Sequence, residues 1–351
     1  MELVYNDFMI KIAINGFGRI GRIFFRVAHN NPNLEVVAIN DLADKDNLIY
    51  LLRHDSVYGR FDISDEEIGK LKFFQEKDPA NLPWKDLDID IAVESSGFFT
   101  SYEKAKAHLQ AGAKRVVITA PPKDSPLGSL QGESLIDLYE EGSVLMFTPN
   151  ACVGDISKSK ITSNASCTTN AAIPVAAIML KELGVKKAVL NTVHGYTSSQ
   201  GMVDKPDTKD WRRGRTGAVN IVPSSTGAAK AAAKVLIELA GKFDGVAVRV
   251  PVPAGSLIDF TFVSARPTSV EEVNEILRKA SQSPEWRGIL KIADKATVSA
   301  DILGEPYGSI ADLDMTRVID GDLVKIFSWY DNEWGYCAML LKHIEMLKNY
   351  L

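Results

Sequence analysis

A glycine-rich turn near the start of the chain constrains the fold more than any other segment. The pattern G-x-G-x-x-G is formed by Gly16, Gly18 and Gly21, between the β-branched run Met9–Asn15 and a helically spaced apolar stretch, Ile20–Asn30. In such a unit the first glycine permits the tight turn, the second lets the backbone approach a pyrophosphate, and the third lets the helix pack on the strand. The turn therefore predicts a dinucleotide at the helix N-terminus, where the peptide dipoles attract an anion.

An acidic residue follows the next predicted strand. That strand covers Leu34–Asn40, and Asp41 lies twenty residues beyond Gly21. A carboxylate at this place accepts a hydrogen bond from a ribose 2′-hydroxyl and repels a 2′-phosphate. Asp41 therefore predicts a preference for NAD over NADP.

Strands and helices continue to alternate through the first half of the chain. Further strands are predicted at Ile89–Glu94, Arg115–Thr119 and Val144–Thr148, with a helix at Tyr102–Ala111. This alternation is typical of a Rossmann-type, doubly wound parallel sheet. Residues 121–142 are rich in Pro, Gly, Ser and acidic groups, and we expect them to form a long surface excursion.

The residue pattern of the second half differs from that of the first and predicts an α+β domain with a mainly antiparallel sheet. Its predicted elements are a buried helix at Thr169–Leu183, strands at Lys186–Tyr196, Val246–Val252 and Leu257–Ala265, and a C-terminal helix at Trp334–Leu351. The expected class is α/β. We expect an NAD-binding domain over residues 9–167 and 333–351 and a catalytic domain over residues 168–332.

Composition excludes several classes of protein. The net charge is −5, and hydrophobic residues make up 46% of the chain. This balance gives no basic surface for nucleic acid, although residues 209–215 form a local basic cluster. No run of eighteen apolar residues predicts a membrane span, and residues 1–8 do not read as a signal peptide, so we expect a cytoplasmic protein.

The three cysteines, Cys152, Cys167 and Cys337, cannot form a paired disulfide framework. Polar residues surround Cys167 within Ser163–Asn170, and a helix starts beside it. A helix N-terminus stabilises a thiolate and lowers the thiol pKa, so Cys167 is the candidate nucleophile. The other two cysteines are interpreted as small buried hydrophobes.

A general base for this thiol would be a histidine, because imidazole exchanges protons near neutral pH. The chain has five histidines, and their spacing alone does not select one.

Several segments together resemble the family of phosphorylating glyceraldehyde-3-phosphate dehydrogenases, and the similarity runs from about residue 9 to residue 351. The most specific stretches are Ala165–Asn170, which reads ASCTTN, and Trp329–Tyr336, which reads WYDNEWGY. The remaining segments are Asn15–Arg22, Thr192–Thr197, Val222–Lys230 and Arg249–Leu257.

The resemblance implies a covalent mechanism at Cys167. The thiol attacks the aldehyde of glyceraldehyde 3-phosphate, and His194 accepts the thiol proton. Loss of hydride to NAD leaves a thioester, which inorganic phosphate attacks to release an acyl phosphate. A thioester keeps the acyl group reactive, whereas a carboxylate product would be too stable to accept phosphate.

The resemblance also implies the ligand contacts, a homotetramer and no metal ion. The substrate phosphate is assigned to Thr197 and Arg249. The attacking phosphate is assigned to Ser166, Thr168, Thr226 and Gly227, with Arg213 nearby. The cofactor is assigned to Gly16, Gly18, Arg19, Ile20, Gly21, Asp41, Lys77, Thr119 and Asn332.

The chain departs from the family pattern at a few positions. Gly195 replaces a small polar residue or alanine, Ser198-Ser199 replaces Asn-Asp or Ala-Thr, and Ala171 replaces a second cysteine. Residues 121–155 match the pattern poorly, which leaves an altered NAD pocket or a new contact open.

Two alternatives stay open at this stage. One is an enzyme with the same core, such as an erythrose-4-phosphate dehydrogenase, which hydrolyses the thioester and needs no phosphate. The other is an NAD-binding regulatory or RNA-binding protein that has lost catalysis. The complete set of polar site residues and the acidic net charge argue against the second alternative.

Overall fold

The computed structural model describes residues 9–123, 144–149, 151–152, 156–208, 210–293 and 295–351. The chain divides into two compact units, Met1–Phe147 with Gly154–Asn164 and Leu340–Leu351, and Thr148–Val153 with Ala165–Met339. Cys167 therefore lies in the second unit, as does the start of the C-terminal helix, whereas the sequence analysis assigned both to the first. Most of the expected surface excursion, residues 124–142, lies outside the described residues.

The first unit is built on a parallel sheet. Its strand order is β5-β2-β1-β6-β7-β10-β8-β9, and the neighbouring strands from β5 to β8 run parallel. The strands are β1 Ile10–Asn15, β2 Leu34–Asn40, β5 Lys72–Phe74, β6 Ile91–Glu94, β7 Arg115–Ile118, β8 Leu145–Thr148, β9 Ala151–Cys152 and β10 Ile161–Ser163; β3 His54–Asp55 and β4 Gly59–Arg60 form a separate hairpin.

Among the described residues, the helices that accompany this sheet are α1 Arg19–Ala28, α2 Lys45–Arg53, α3 Asp65–Lys70 and α4 Tyr102–Gln110. The central strands β1, β6 and β7 are buried at every position except Lys11, as expected for a parallel sheet that helices cover on both faces. The neighbours of β1 are β2 on one side and β6 on the other, so the order of the chain reverses there. Ligands of doubly wound sheets bind outside the carboxyl ends of the strands at such a point.

The second unit carries a seven-stranded mixed sheet in the order β12-β13-β11-β14-β17-β16-β15. Four neighbouring pairs are antiparallel, and the pairs β11·β13 and β15·β16 are parallel. The strands are β11 Val185–Gly195, β12 Val222–Ser225, β13 Phe243–Val250, β14 Ser256–Ser264, β15 Leu290–Ala293, β16 Ser309–Ile319 and β17 Leu323–Tyr330. The helices are α5 Cys167–Leu183, α6 Ala228–Val235, α7 Val270–Gln282 and α8 Trp334–Leu347, of which α8 continues into the first unit.

These two sheets confirm the predicted fold class. Predicted strands and helices agree with the observed ones to within a few residues, and the predicted helix at Thr169–Leu183 starts two residues earlier, at Cys167. Strand β14 alternates between buried and half-buried residues, as a strand with one covered face should. None of the helices in the described part of the chain is long and apolar enough to cross a membrane.

One register in the second sheet matters for the site. In the parallel pair β11·β13, His194 lies opposite Arg249. Helix α5 packs against β14, β16 and β17 on the covered face of this sheet. The start of α5 and the end of β11 are thereby brought to the same edge of the sheet.

Candidate active site

The glycine turn after β1 has the geometry that its sequence predicts. Gly16 has φ +92°, and a Cβ built there would lie 2.5 Å from the Ser96 backbone nitrogen. A Cβ at Gly21 would lie 2.2 Å from the Gly16 carbonyl oxygen, whereas no described atom lies within 4 Å of a Cβ at Gly18. Gly16 and Gly21 therefore serve close packing, and Gly18 faces open space at the start of α1.

Asp41 ties the end of β2 to this turn. Its carboxylate accepts hydrogen bonds from the backbone N–H of Phe17 at 2.6 Å and of Ala43 at 2.9 Å. The structure thus places Asp41 beside the turn. The sequence pattern does not reveal its hydrogen bonds to these two backbone amides.

Arg19, at the start of α1, forms an ion pair with Asp55 of the small hairpin and lies over the ring of Tyr58. Burial would raise the pKa of Asp55, but N–H donors from Val57 and Tyr58 and the Arg19 guanidinium hold it below its usual value. Asp55 is a residue that the sequence analysis missed, since nothing in its neighbourhood marks it as a partner of residue 19.

The other predicted cofactor residues of this unit have simpler surroundings. Ile20 is half-buried in the first turn of α1, and Lys77 is exposed. The Thr119 hydroxyl donates to the Glu94 carbonyl oxygen at 3.1 Å, at the carboxyl end of β6.

A buried polar network beneath the turn was also missed. The Glu94 carboxylate accepts from the amide of Asn15 at 2.5 Å and from Ser96 N–H at 2.9 Å, and it lies 3.1 Å from His108 Nε2. The indole of Trp84 donates to His108 Nδ1 at 3.1 Å, so the imidazole proton lies on Nε2 and points at Glu94. The network fixes the carboxyl ends of β1 and β6, where the turn begins.

In the second unit, Cys167 is the first residue of α5. Ser166 is the N-cap, and its hydroxyl accepts from Thr169 N–H at 3.1 Å. Ala165, just before it, has φ +53° and is fully buried, and its carbonyl oxygen accepts from the Tyr336 hydroxyl at 3.3 Å. A non-glycine residue in the left-handed region costs about 1 kcal/mol, so the surrounding packing holds this bend in place.

The predicted nucleophile and base are in contact. Cys167 Sγ lies 3.4 Å from His194 Nε2; Cys167 is half-buried and His194 is buried. Burial raises the pKa of the Cys167 thiol and outweighs the opposing effects of Arg249 and the Thr168 hydrogen bonds. The helix N-terminus is expected to lower this pKa, whereas burial of the thiol acts in the opposite direction.

Burial, with the positive charge of Arg249 and then of Arg213, lowers the pKa of His194 to about 3. The imidazole is therefore neutral near pH 7. Its Nδ1 lies 2.6 Å from Arg249 Nη1 and 2.7 Å from the Gly195 carbonyl oxygen. A Cβ at residue 195 would lie 2.9 Å from the Val252 carbonyl oxygen, which accounts physically for glycine at this departure from the family pattern.

A line of hydroxyl groups runs behind the nucleophile. Thr168 Oγ1 lies 4.0 Å from Cys167 Sγ and 2.8 Å from the Tyr330 hydroxyl, which in turn lies 2.8 Å from Thr192 Oγ1. Burial raises the pKa of Tyr330, so this phenol stays protonated. The sequence pattern does not predict the contact between Tyr330 and Thr168.

The remaining predicted anion contacts lie on loops of the same unit. Arg213 donates to the Ser224 hydroxyl at 2.8 Å and acts on His194 through its charge. The Thr197 and Ser199 hydroxyls lie 2.9 Å apart, so Ser199 does supply a hydroxyl beside Thr197.

Three predicted ligand contacts remain. Thr226 and Gly227 lie at the N-terminus of α6, and Asn332 lies on the turn after β17. Gly227 is the N-cap of α6, and the Thr226 hydroxyl accepts from Ala228 N–H at 3.2 Å. Asn332 is buried after β17, and its side-chain oxygen accepts from Gly255 N–H and from the Ser256 hydroxyl, each at 3.0 Å. These bonds fix the direction of the Asn332 amide.

The structure thus brings Cys167, His194, Arg249 and Thr168 into one cluster and the glycine turn, Asp41 and Arg19 into another. Lys209, part of the basic cluster, lies outside the described residues. Among those that are described, no group of three or more His, Cys, Asp or Glu side chains could hold a metal ion.

Two family models match the chain. The glyceraldehyde 3-phosphate dehydrogenase NAD binding domain matches residues 10–102, and the C-terminal domain of the same family matches residues 166–332. The chain belongs to the glyceraldehyde-3-phosphate dehydrogenase family. The family resemblance found in the sequence, the oxidoreductase class and the prediction of NAD as cofactor are confirmed.

Individual relatives in this dehydrogenase family agree over nearly the whole length. A glyceraldehyde-3-phosphate dehydrogenase of Mycolicibacterium smegmatis is 45% identical, covering 94% of this chain and 96% of the relative. Glyceraldehyde-3-phosphate dehydrogenase 3 of Kluyveromyces marxianus is 42% identical, covering 97% and 99%. Glyceraldehyde-3-phosphate dehydrogenase 1 of Trichormus variabilis is 44% identical, covering 93% of each chain.

Proposed function

We propose that the protein oxidises glyceraldehyde 3-phosphate with NAD and inorganic phosphate to 1,3-bisphosphoglycerate. The observation that carries this proposal is the contact of 3.4 Å between Cys167 Sγ and His194 Nε2, in a chain of this dehydrogenase family. A thiol beside a neutral imidazole has the parts needed for covalent attack on an aldehyde.

The residues of the first unit fit NAD. Gly18 faces open space at the N-terminus of α1, where backbone N–H groups attract a pyrophosphate. Asp41, held beside the turn, would accept from a ribose hydroxyl, with Arg19, Ile20, Lys77 and Thr119 around the remaining cofactor; Asn332 would contact the nicotinamide amide. When bound, NAD supplies the acceptor for the hydride that leaves the substrate carbon.

The chemical work falls to the second unit. Cys167 Sγ forms a bond to the aldehyde carbon as its proton passes to His194 Nε2 and from there to the former carbonyl oxygen, and the product is a thiohemiacetal. Loss of hydride from that carbon, with transfer of the hydroxyl proton to His194 Nε2, leaves a thioester on Cys167. The oxygen of inorganic phosphate then attacks the thioester carbonyl carbon, the C–S bond breaks, and the thiolate takes back a proton.

We assign two phosphate positions to residues of this unit. Thr197 and Arg249 would hold the phosphate of the substrate, because a guanidinium and a hydroxyl both donate to phosphate oxygens. The attacking phosphate would contact Thr168, Thr226, Gly227 and Arg213. Ser166 would contribute from the N-cap of α5, where its own hydroxyl already accepts from Thr169 N–H.

The test is an assay of NADH formation from glyceraldehyde 3-phosphate with and without inorganic phosphate, with arsenate as a substitute acceptor. We expect turnover that requires phosphate or arsenate. Erythrose 4-phosphate is run in parallel, and faster turnover of this aldehyde without phosphate would overturn the assignment. Equal rates with NADP would contradict the role given to Asp41.

A homotetramer is proposed from the surface of the loop that joins β11 and β12. Large apolar side chains stand exposed there, among them Met202 at 75% and Trp211 at 87%. Exposed apolar patches of this kind mark interfaces between proteins. Sedimentation should show Trp211→Glu as a smaller species than the parent protein, whereas Val298→Glu, at an exposed residue elsewhere in the unit, should not change the assembly. An unchanged Trp211→Glu assembly would contradict this interface.

We also propose that the protein works in the cytoplasm, since the mechanism needs a reduced Cys167. Both Cys167 and Cys337 are free thiols in the structure. Fractionation of the source cells with an antibody against the protein would test this location, and recovery outside the cytoplasmic fraction would overturn it.

A further inference from the structure

The carboxylate of Glu94 is fully buried at the carboxyl end of β6, and each of its two oxygens faces two hydrogen-bond donors. Oε1 accepts from the Ser96 backbone N–H at 2.9 Å and from the Ser96 hydroxyl at 2.5 Å. Oε2 accepts from the Asn15 amide at 2.5 Å and lies 3.1 Å from His108 Nε2. A carboxylate offers about four lone-pair sites, so these donors use all of them.

Two of the donors have a direction that the surrounding structure fixes. The backbone N–H of Ser96 can only donate. At His108 the Trp84 indole donates to Nδ1 at 3.1 Å, so the ring proton lies on Nε2 and points at Glu94. His108 and Trp84 are both fully buried, so water does not replace either partner.

The direction of the Asn15 amide is fixed through Asn40. The Asn40 side-chain oxygen accepts from Glu76 N–H at 2.8 Å, and its nitrogen donates to the Glu76 carbonyl oxygen at 2.9 Å. The same nitrogen donates to the Asn15 side-chain oxygen at 2.7 Å, which leaves the Asn15 NH2 group directed at Glu94. Rotating the Asn15 amide would therefore break this series of hydrogen bonds, and residue 94 must supply an acceptor on this side.

The carboxylate joins the two segments that meet at the first glycine of the turn. Asn15 directly precedes Gly16, and Ser96 packs on the same glycine, since a Cβ at Gly16 would lie 2.5 Å from the Ser96 backbone nitrogen. Between them, the Ser95 hydroxyl donates to the Gly16 carbonyl oxygen at 2.6 Å. Glu94 thus holds the residue before the turn with one oxygen and the segment that packs on the turn with the other.

We propose that Glu94 is a positioning residue for NAD, whose carboxylate holds the glycine turn in the conformation that receives the pyrophosphate. The inference rests on the proposed function, in which this turn binds the cofactor. A carboxylate does not attract a pyrophosphate, so the contribution of Glu94 to NAD affinity comes from geometry and not from charge. Glu94 contacts neither the substrate nor the reacting atoms in this role.

A glutamine at residue 94 has nearly the same size as the glutamate but a different hydrogen-bonding pattern. One side of its amide is an NH2 group, whereas both sides of the Glu94 carboxylate face donors. Turned toward Ser96, the NH2 group meets a backbone N–H; turned the other way, it meets the Asn15 amide and the Nε2–H of His108. A donor that faces a donor leaves a buried hydrogen bond unmade. We therefore expect Glu94→Gln to displace the turn.

The first test measures NAD binding to Glu94→Gln by titration calorimetry, and we expect a Kd about tenfold higher than in the parent. ADP-ribose, which has the pyrophosphate but no nicotinamide, should show the same loss, because Glu94 acts on the turn. Glu103→Gln, the same change at an exposed side chain of α4, should bind both ligands with parental affinity. Parental affinity of Glu94→Gln for either ligand would overturn the inference.

A second variant distinguishes this role from a general loss of structure. Trp84→Phe removes the indole N–H, so His108 can carry its proton on Nδ1 and accept at Nε2 from the NH2 group that Glu94→Gln introduces. In the Trp84→Phe background, Glu94→Gln should weaken NAD binding only about threefold. The loss of indole packing is common to both members of this pair and cancels in the comparison. Equal losses in the two backgrounds would contradict the assigned hydrogen-bond directions.

A measurement on the parent protein keeps the proposal testable even if Glu94→Gln does not fold. Nitrogen-15 chemical shifts of labelled histidine distinguish the Nδ1–H and Nε2–H tautomers. The His108 signal is identified by its nuclear Overhauser contact with the Trp84 indole proton. We expect the Nε2–H tautomer, and an Nδ1–H tautomer would overturn the inference because His108 would then be no donor to Glu94.

The inference and the proposed function fail in different ways. If the parent makes NADH only with phosphate but Glu94→Gln binds NAD as tightly as the parent, the inference alone is wrong. If Glu94→Gln loses NAD and ADP-ribose affinity but the parent shows no phosphate-dependent turnover, the proposed function alone is wrong. If the parent binds neither ligand, both are wrong.

Discussion

The glycine turn of the first unit and the cysteine–histidine site of the second unit are constructed in different ways. The turn is formed by residues 16–21. Its properties come from the backbone, from the absence of side chains at the glycines and from the N-terminus of α1. The catalytic cluster uses the side chains of Cys167, His194 and Arg249, which come from three elements far apart in sequence. Long-range strand pairing, not local sequence, brings them together.

Because of this difference, a substitution in the glycine turn should act mainly on folding and cofactor affinity. A substitution in the catalytic cluster should act mainly on the reaction rate. The β11·β13 register places Arg249 opposite His194, and α5 places Cys167 against the end of β11. Substitution in the catalytic cluster leaves these backbones intact. Substitution at a packed glycine of the turn does not, because backbone atoms occupy the space that a side chain would need.

The largest expected effect is on the catalytic side of this comparison. We expect Cys167→Ser to lower turnover about ten-thousandfold, because a serine hydroxyl is a far weaker nucleophile than a thiol near neutral pH. Binding of NAD, measured by calorimetry, should persist since the glycine turn belongs to the other unit. Cys337→Ser is the matched control: its thiol is fully buried in α8, so it should lose stability and keep turnover per folded molecule. A fully active Cys167→Ser protein would refute the mechanism.

The next effect separates two glycines of the same turn. Gly21→Ala places a Cβ 2.2 Å from the Gly16 carbonyl oxygen and should lower the free energy of unfolding by about 3 kcal/mol. Gly18→Ala meets open space and should change stability by no more than about 0.5 kcal/mol. The latter should instead weaken NAD binding about tenfold, since the added methyl stands where the pyrophosphate approaches. Urea unfolding and NAD titration of both variants decide this, and equal stabilities would contradict the packing account.

For the same reason, the sequence predicts the glycine turn more fully than the contacts of the catalytic cluster. The glycine turn, its flanking strand and helix, and Asp41 could all be predicted because their spacing is local and periodic. His194 could be selected among five histidines only through family resemblance. The contact of Arg249 with His194, the Asp55 partner of Arg19 and the Glu94 network depend on pairings that no local pattern encodes.

A buried histidine in each unit provides a pH test. Burial, and then the charge of Arg115, lowers the pKa of His343 to about 3, while its ring lies 3.0 Å from Thr162 Oγ1. An unfolded histidine has a pKa of about 6.5, so the folded state binds fewer protons below that pH. Stability is therefore full above about pH 6.5 and falls on acidification, by up to about 1.4 kcal/mol per pH unit.

His343→Gln removes this titration from the first unit and leaves that of His194 in the second. We expect the unfolding free energy of the variant to fall less steeply than that of the parent between about pH 6 and about pH 5. Urea unfolding at several pH values measures both slopes. Parallel slopes would mean that His343 is protonated in the folded protein.

The smallest expected effect compares two helix N-caps. Ser166→Ala and Ser269→Ala each remove a hydroxyl that accepts from a backbone N–H, at the start of α5 and of α7. Each should cost about 1 kcal/mol of stability. Only Ser166→Ala should also change the alkylation rate of Cys167, since only this cap adjoins the nucleophile. If Ser269→Ala altered that rate equally, the local account of the cap would be wrong.

The left-handed bend at Ala165 has a consequence for which sequences this site can accept. The residue carries only a methyl group and is fully buried, with φ +53°. Valine, isoleucine and threonine crowd their own backbone in that conformation, so they should be rejected there even though they differ from alanine by only two or three non-hydrogen atoms. Substitution tolerance near the nucleophile is thus limited by a torsion angle as well as by chemistry. A library at residue 165 selected for growth should keep glycine, alanine and asparagine and lose the β-branched residues.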